Sequence, residues 1–66
     1  MQVDIMKIRN LRKSRKLTMT QAGEIIGCTM SGYAKKERGQ RSFSAAEVAI
    51  LANRFGVPIN DLFLFD

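Results

Sequence analysis

The chain has 66 residues, 45% of them apolar and 26% charged, with a formal net charge of +5. That length allows one small domain whose marginal core needs tight helix packing or a partner subunit, and the balance of residues suits a folded chain rather than a disordered one. A single cysteine, Cys28, and no histidine exclude a disulfide framework and leave almost no route to a structural zinc.

Five helices are predicted in chain order, joined by short turns. The first spans about Asp4 to Ser14, with Ile5, Ile8 and Leu11 three residues apart on one face. The second, about Met19 to Ile26, begins behind a capping box in which Thr18 and Gln21 each satisfy a free backbone N–H. Gly27, Cys28 and Thr29 then turn tightly into a third helix, about Met30 to Arg38. Thr29 caps its start, and Gly39 ends it in the left-handed conformation. A loop from Gly39 to Phe43 leads to a fourth helix, opened by a second capping box of Ser44 and Glu47. It turns Val48, Leu51, Ala52 and Phe55 inward and ends at Gly56. Pro58 opens a short fifth helix with Ile59, Leu62 and Phe63 facing inward; no strand long enough to assign is found.

These faces give an expected core of Ile5, Ile8, Leu11, Leu17, Ala22, Ile26, Tyr33, Val48, Leu51, Ala52, Phe55, Val57, Ile59, Leu62 and Phe63. Gly23 lies mid-helix, where glycine costs about 1 kcal/mol relative to alanine. Close approach of the third helix is its expected reason; a tolerated weak position is the alternative.

Two short helices around such a turn, over about residues 18–39, form a helix-turn-helix, whose second helix can enter a DNA major groove. The charge is distributed to match. Residues 1–41 hold ten Lys/Arg and three acids, a net +7, while residues 42–66 hold one Arg and three acids, a net −2. One half suits a polyanion and the other does not, although a solvated basic face would give the same count.

Leu17-Thr18, Gly27, Glu37-Arg38-Gly39, Phe55-Gly56-Val57-Pro58 and Asp61-Leu62-Phe63 recur here at a joint spacing. In this the chain resembles the lambda-repressor/Cro-type (XRE-like) helix-turn-helix family, over about residues 5–63. The resemblance implies an all-α fold, a compact five-helix bundle that binds operator DNA, usually as a dimer. It implies a recognition helix beginning at Thr29, with Met30, Ser31 and Gly32 in the turn that faces base edges and Lys35 one turn further on. Ser31 specifies weakly, because a hydroxyl pairs with either base type. Met30 stands where the family commonly has Gln or Arg; it could touch a thymine methyl or be uninvolved. Gly32 would let the backbone approach the DNA, and Lys35 could reach guanine or a phosphate.

Met19 stands where family members often have a Gln that grips a phosphate. Anchoring is therefore expected from Thr18, Thr20 and the helix N-terminus beside them. Lys36, Arg38, Arg41, Arg9, Lys13 and Lys16 are the expected basic phosphate contacts. Glu37 is unfavourably placed at a helix C-terminus; the resemblance pairs it with Arg12 in a structural ion pair that locks the first helix to the third.

Ile50, Leu64 and Phe65 are apolar without a family core role, and are the dimer-interface candidates in a C-terminal half spanning residues 44–66. Phe65 could instead fold back onto its own core. A two-fold dimer through this half would set two recognition helices about 34 Å apart. The expected function of this single domain, residues 1–66, is sequence-specific binding of double-stranded DNA by a homodimeric transcriptional repressor at an inverted repeat. The alternative is a protein-interaction module on the same fold, an antitoxin or bridging factor held chiefly by another protein. Without histidine, a reactive-cysteine constellation or a close acidic pair, no enzyme is expected. No cofactor, metal or small-molecule ligand is expected either. No signal peptide or membrane-crossing apolar run is seen, so the expected location is the cytoplasm. The resemblance implies that Cys28 fills the small apolar position common in the family's turn, with a redox-sensing thiol as the alternative.

Overall fold

Each helix starts where a short polar side chain satisfies one of the backbone N–H groups left free in a first turn. In the computed structural model, which describes residues 2–65, α1 is Ile5–Ser14, α2 Met19–Ile26, α3 Met30–Glu37 and α4 Ala45–Phe55. Met1 and Asp66, the latter counted above in the acidic half, lie outside the described residues. Asp4 caps α1, accepting from the Lys7 N–H at 3.0 Å, and Thr29 caps α3, accepting from the Gly32 N–H at 3.1 Å. Thr18 with Gln21 and Ser44 with Glu47 form reciprocal capping boxes on α2 and α4. Gly27 ends α2 at φ +77°, a left-handed conformation that a Cβ would strain. Among the described residues, no helix is long and apolar enough to cross a membrane.

The expected fifth helix is corrected. Residues Ile59–Leu62 form a single 3₁₀ turn, and the chain then extends as β2, Phe63–Leu64. It pairs antiparallel with β1, Gln2–Val3, in the register Gln2↔Leu64 and Val3↔Phe63. The Asp4 N–H continues the pairing to the Leu62 carbonyl at 2.8 Å. A short apolar run such as Leu62-Phe63-Leu64-Phe65 fits strand and helix equally by pattern, and only the strand at the other end of the sequence decides between them. Among the described residues, four α-helices and a two-residue ladder therefore replace a five-helix bundle, within the same helical class.

The core collects Ile8, Ala22, Tyr33, Phe43, Val48, Leu51, Ala52, Phe55 and Leu62, with Leu11, Leu17, Ile26, Val57 and Phe63 half-buried against it. Ile5 is only half-buried, and Ile59, expected inside, is exposed because a 3₁₀ turn of four residues buries only Leu62. Phe43, in the expected loop but left out of the expected core, is buried and meets the Tyr33 ring edge-on at 5.9 Å. Met19 and Ile25 also pack against the core.

Gly23 has a definite reason. A Cβ there would stand 2.8 Å from the Cys28 carbonyl oxygen and 3.1 Å from that of Thr29. The close approach comes from the backbone of the turn that leads into α3, rather than from the body of α3. Gly23→Ala should destabilise the protein by about 1–3 kcal/mol, through overpacking against backbone that outweighs alanine's better helix propensity. Urea unfolding checks this; a variant as stable as the parent would contradict the stated contact.

Candidate nucleic-acid interface

The turn between α2 and α3 fixes which face of α3 looks outward. Tyr33, Ala34, Lys36 and Glu37 are buried, so Met30, Ser31 and Lys35 emerge on the opposite side, with Gly32 half-buried beside them. Ser31 and Lys35 are four residues apart and share one face. Met30 is 51% exposed, a large apolar side chain at the tip of the helix with nothing packed over it. At Gly32 a Cβ would meet only Thr29 Oγ1 at 3.4 Å and Cys28 Cβ at 3.8 Å, ordinary contacts, so the interior does not require glycine there.

Beside this face lies the start of α2. Thr18 Oγ1 accepts from the Gln21 N–H at 3.1 Å, and Gln21 Oε1 accepts from the Thr18 N–H at 2.9 Å. The N–H groups of Met19 and Thr20, in the first turn, remain for an external acceptor. Thr20 is exposed, while Met19 turns inward to the core. A cleft between α1, the start of α2 and α3 is lined by Arg9, Arg12, Lys13, Met19, Ala34, Glu37 and Arg38. Its four cations face one carboxylate, leaving a positive excess next to a helix N-terminus.

The carboxylate is held tightly. Arg12 donates from Nε to Glu37 Oε2 at 2.9 Å, from Nη2 to Oε1 at 2.8 Å, and from Nη1 to the Leu17 carbonyl at 2.9 Å. Both partners of this bidentate pair are buried. Burial alone would raise the Glu37 pKa, but the hydrogen bonds and charge of Arg12 override it and hold the carboxyl below its ordinary value. The same pairing raises the Arg12 pKa. Tyr33 stands beside them, its phenol pushed above the ordinary range by burial and by Glu37.

Not every expected phosphate contact is free for the task. Lys36 is corrected: it is 8% exposed and pairs through Nζ with Glu47 Oε2 of α4. The run Lys35-Lys36-Glu37-Arg38 looks uniformly charged in sequence, and only the inward roll set by Tyr33 and Glu37 hides its second member. Arg9 is half committed, donating to the Glu37 carbonyl at 3.0 Å and lying 3.4 Å from Glu37 Oε1. Lys13, Arg38 and Arg41 are exposed, as is Lys16 in the turn between α1 and α2. Arg15, another cation of α1's C-terminal end, lies over the Phe55 ring and donates to the Phe55 carbonyl, so it braces α4 instead.

A family model described as Helix-turn-helix, HTH_3, matches residues 8–62. The chain belongs to this Cro/CI-type helix-turn-helix family. No curated protein and no solved structure gives a significant match. The family is one of DNA-binding transcription regulators. In helix-turn-helix terms α2 is the supporting helix and α3 the recognition helix, and the match covers both together with α4 and the 3₁₀ turn.

The Arg12–Glu37 pair carries a pH signature. A carboxyl with a depressed folded-state pKa contributes stability that is full above its unfolded value, about 4.3 for Glu, and is lost as pH falls through the lower folded value. Glu37→Gln should therefore be less stable than the parent at neutral pH and should lose less stability on acidification below about pH 4. Urea midpoints measured from pH 7 to 2 check this; parallel curves for the two proteins would contradict a charged, paired Glu37.

Proposed function

We propose that the protein binds double-stranded DNA sequence-specifically, as a homodimeric transcriptional repressor acting on an inverted repeat. One observation carries the reading: α3, whose first turn is exposed, borders through Ala34, Glu37 and Arg38 a cleft with a positive excess that also takes in Met19, the first residue of α2. Met30, Ser31, Gly32 and Lys35 read base edges. Thr18, Thr20 and the α2 N–H groups, with Lys13, Arg38, Arg41, Lys16 and in part Arg9, hold phosphates. Occlusion of a promoter by the bound protein is sufficient for repression.

Dimerisation through the C-terminal half is supported by apolar exposure on residues that do not line the basic cleft. Ala46, Ala49, Ile50 and Asn53 make an uncharged outer face on α4, and Leu64 and Phe65 are 51% and 62% exposed. Such exposure on a small domain marks an interface. The same residues support a second reading, in which this surface holds a different protein and the fold serves chiefly as an interaction module.

Selection from a random duplex pool distinguishes the two. The expected result is an enriched inverted repeat with half-sites about one helical turn apart. Four phosphates neutralised per subunit of a dimer, by Lys13, Lys16, Arg38 and Arg41, give a slope of log K against log salt of about −7. No enrichment, with only weak salt-sensitive binding, would contradict the repressor reading and favour the protein partner. Gly32→Ala adds a second test. It should leave stability unchanged or raise it by up to about 1 kcal/mol, yet weaken binding to the enriched duplex. Undiminished binding would remove Gly32 from the contact surface.

A further inference from the structure

Lys36 and Glu37 are adjacent on α3 and are held in opposite directions. Glu37 is taken by Arg12 of α1, whereas Lys36 is taken by Glu47 of α4. Glu47 does two things at once: Oε1 accepts from the Ser44 N–H at 2.9 Å, and Oε2 receives the Lys36 ammonium. The Cys28 thiol lies 3.9 Å from the same oxygen. One carboxylate thus joins the turn, the recognition helix and the start of α4. Its placement is set by the α4 capping box, so it is aimed before Lys36 arrives.

We propose that Glu47 is a positioning and specificity residue for DNA binding: it fixes the roll of α3 and withholds the Lys36 cation from phosphate. This rests on the DNA-binding reading above. Two oppositely charged braces on consecutive residues, about 100° apart around the helix, resist rotation in either sense. Ser31 and Lys35 inherit that orientation. A lysine released from Glu47 has a four-carbon stem and Gly32 one turn back on the same side, where no side chain obstructs it. It would add phosphate affinity at every sequence alike. Equal gains on operator and non-specific DNA leave their ratio unchanged, so hiding this cation limits non-specific affinity, while the fixed roll of α3 carries the operator preference.

The test uses the intact chain with an operator duplex from the selection and a scrambled duplex of equal length. Glu47→Gln keeps an acceptor for the Ser44 N–H and removes the charge that holds Lys36. On the scrambled duplex its salt slope should steepen by about 0.9 per subunit, and its operator preference should fall several-fold. Lys36→Met should leave the parent slope unchanged, because the hidden ammonium neutralises no phosphate, and this readout stands even if Glu47→Gln fails to fold. A shallower slope for Lys36→Met, or a folded Glu47→Gln with parental slope and preference, would overturn the proposal while the DNA-binding reading survived. A parent protein that prefers no duplex would sink both.

Discussion

An eight-residue helix does not persist in water on its own, so the recognition helix depends on what grips it from outside. The grip is the buried Arg12–Glu37 pair at its C-terminal end, which connects α3 to α1 through two parallel hydrogen bonds. It also settles an electrostatic conflict. A carboxylate at a helix C-terminus opposes the helix dipole, and Arg12, assisted by Arg9, supplies the charge that reverses the balance. Removing one partner would leave the other buried and uncompensated, which is more damaging than the absence of the pair. Everything presented outward by Met30, Ser31 and Lys35 follows from that fixed point, together with the turn that Gly23 lets close against α2.

Much of this was legible in the sequence because it is written in local chemistry. Both capping boxes, the Thr29 cap, the left-handed Gly39 and the inward face of α4 each depend on neighbours about one helical turn apart or less. What was not legible depends on distant partners. Phe43 looks like loop because nothing near it is periodic, and its ring finds Tyr33 only after the chain turns. The strand Phe63–Leu64 exists because Gln2 and Val3 lie beside it. Lys36 looked like one more surface cation, and its burial required Glu47 to arrive from the next helix. The Arg12–Glu37 pair is also long-range; it came from family resemblance, since no local rule joins residues 25 positions apart.

The two halves of the fold divide the chemistry. Cations of α1 and of the end of α3 line the cleft, while Ala46, Ala49, Ile50 and Asn53 give α4 an outer face without charge. The basic side is not uniformly available: Arg12, Arg15, Lys36 and part of Arg9 hold the protein together, and Lys13, Lys16, Arg38 and Arg41 remain exposed. A count of charges therefore overstates the affinity for a polyanion. Net charge brings the protein to DNA, whereas the internally paired cations determine how rigidly the reading face is held when it arrives.

The central claim is that one face, made by the start of α2 and the outer side of α3, meets the duplex. Backbone amide shifts of the labelled protein, titrated with the enriched operator, test it most directly. The account predicts changes concentrated at Thr18–Thr20, Met30–Lys35 and Arg38–Arg41. Changes confined to the outer face of α4 and to β2, with α3 silent, would contradict it.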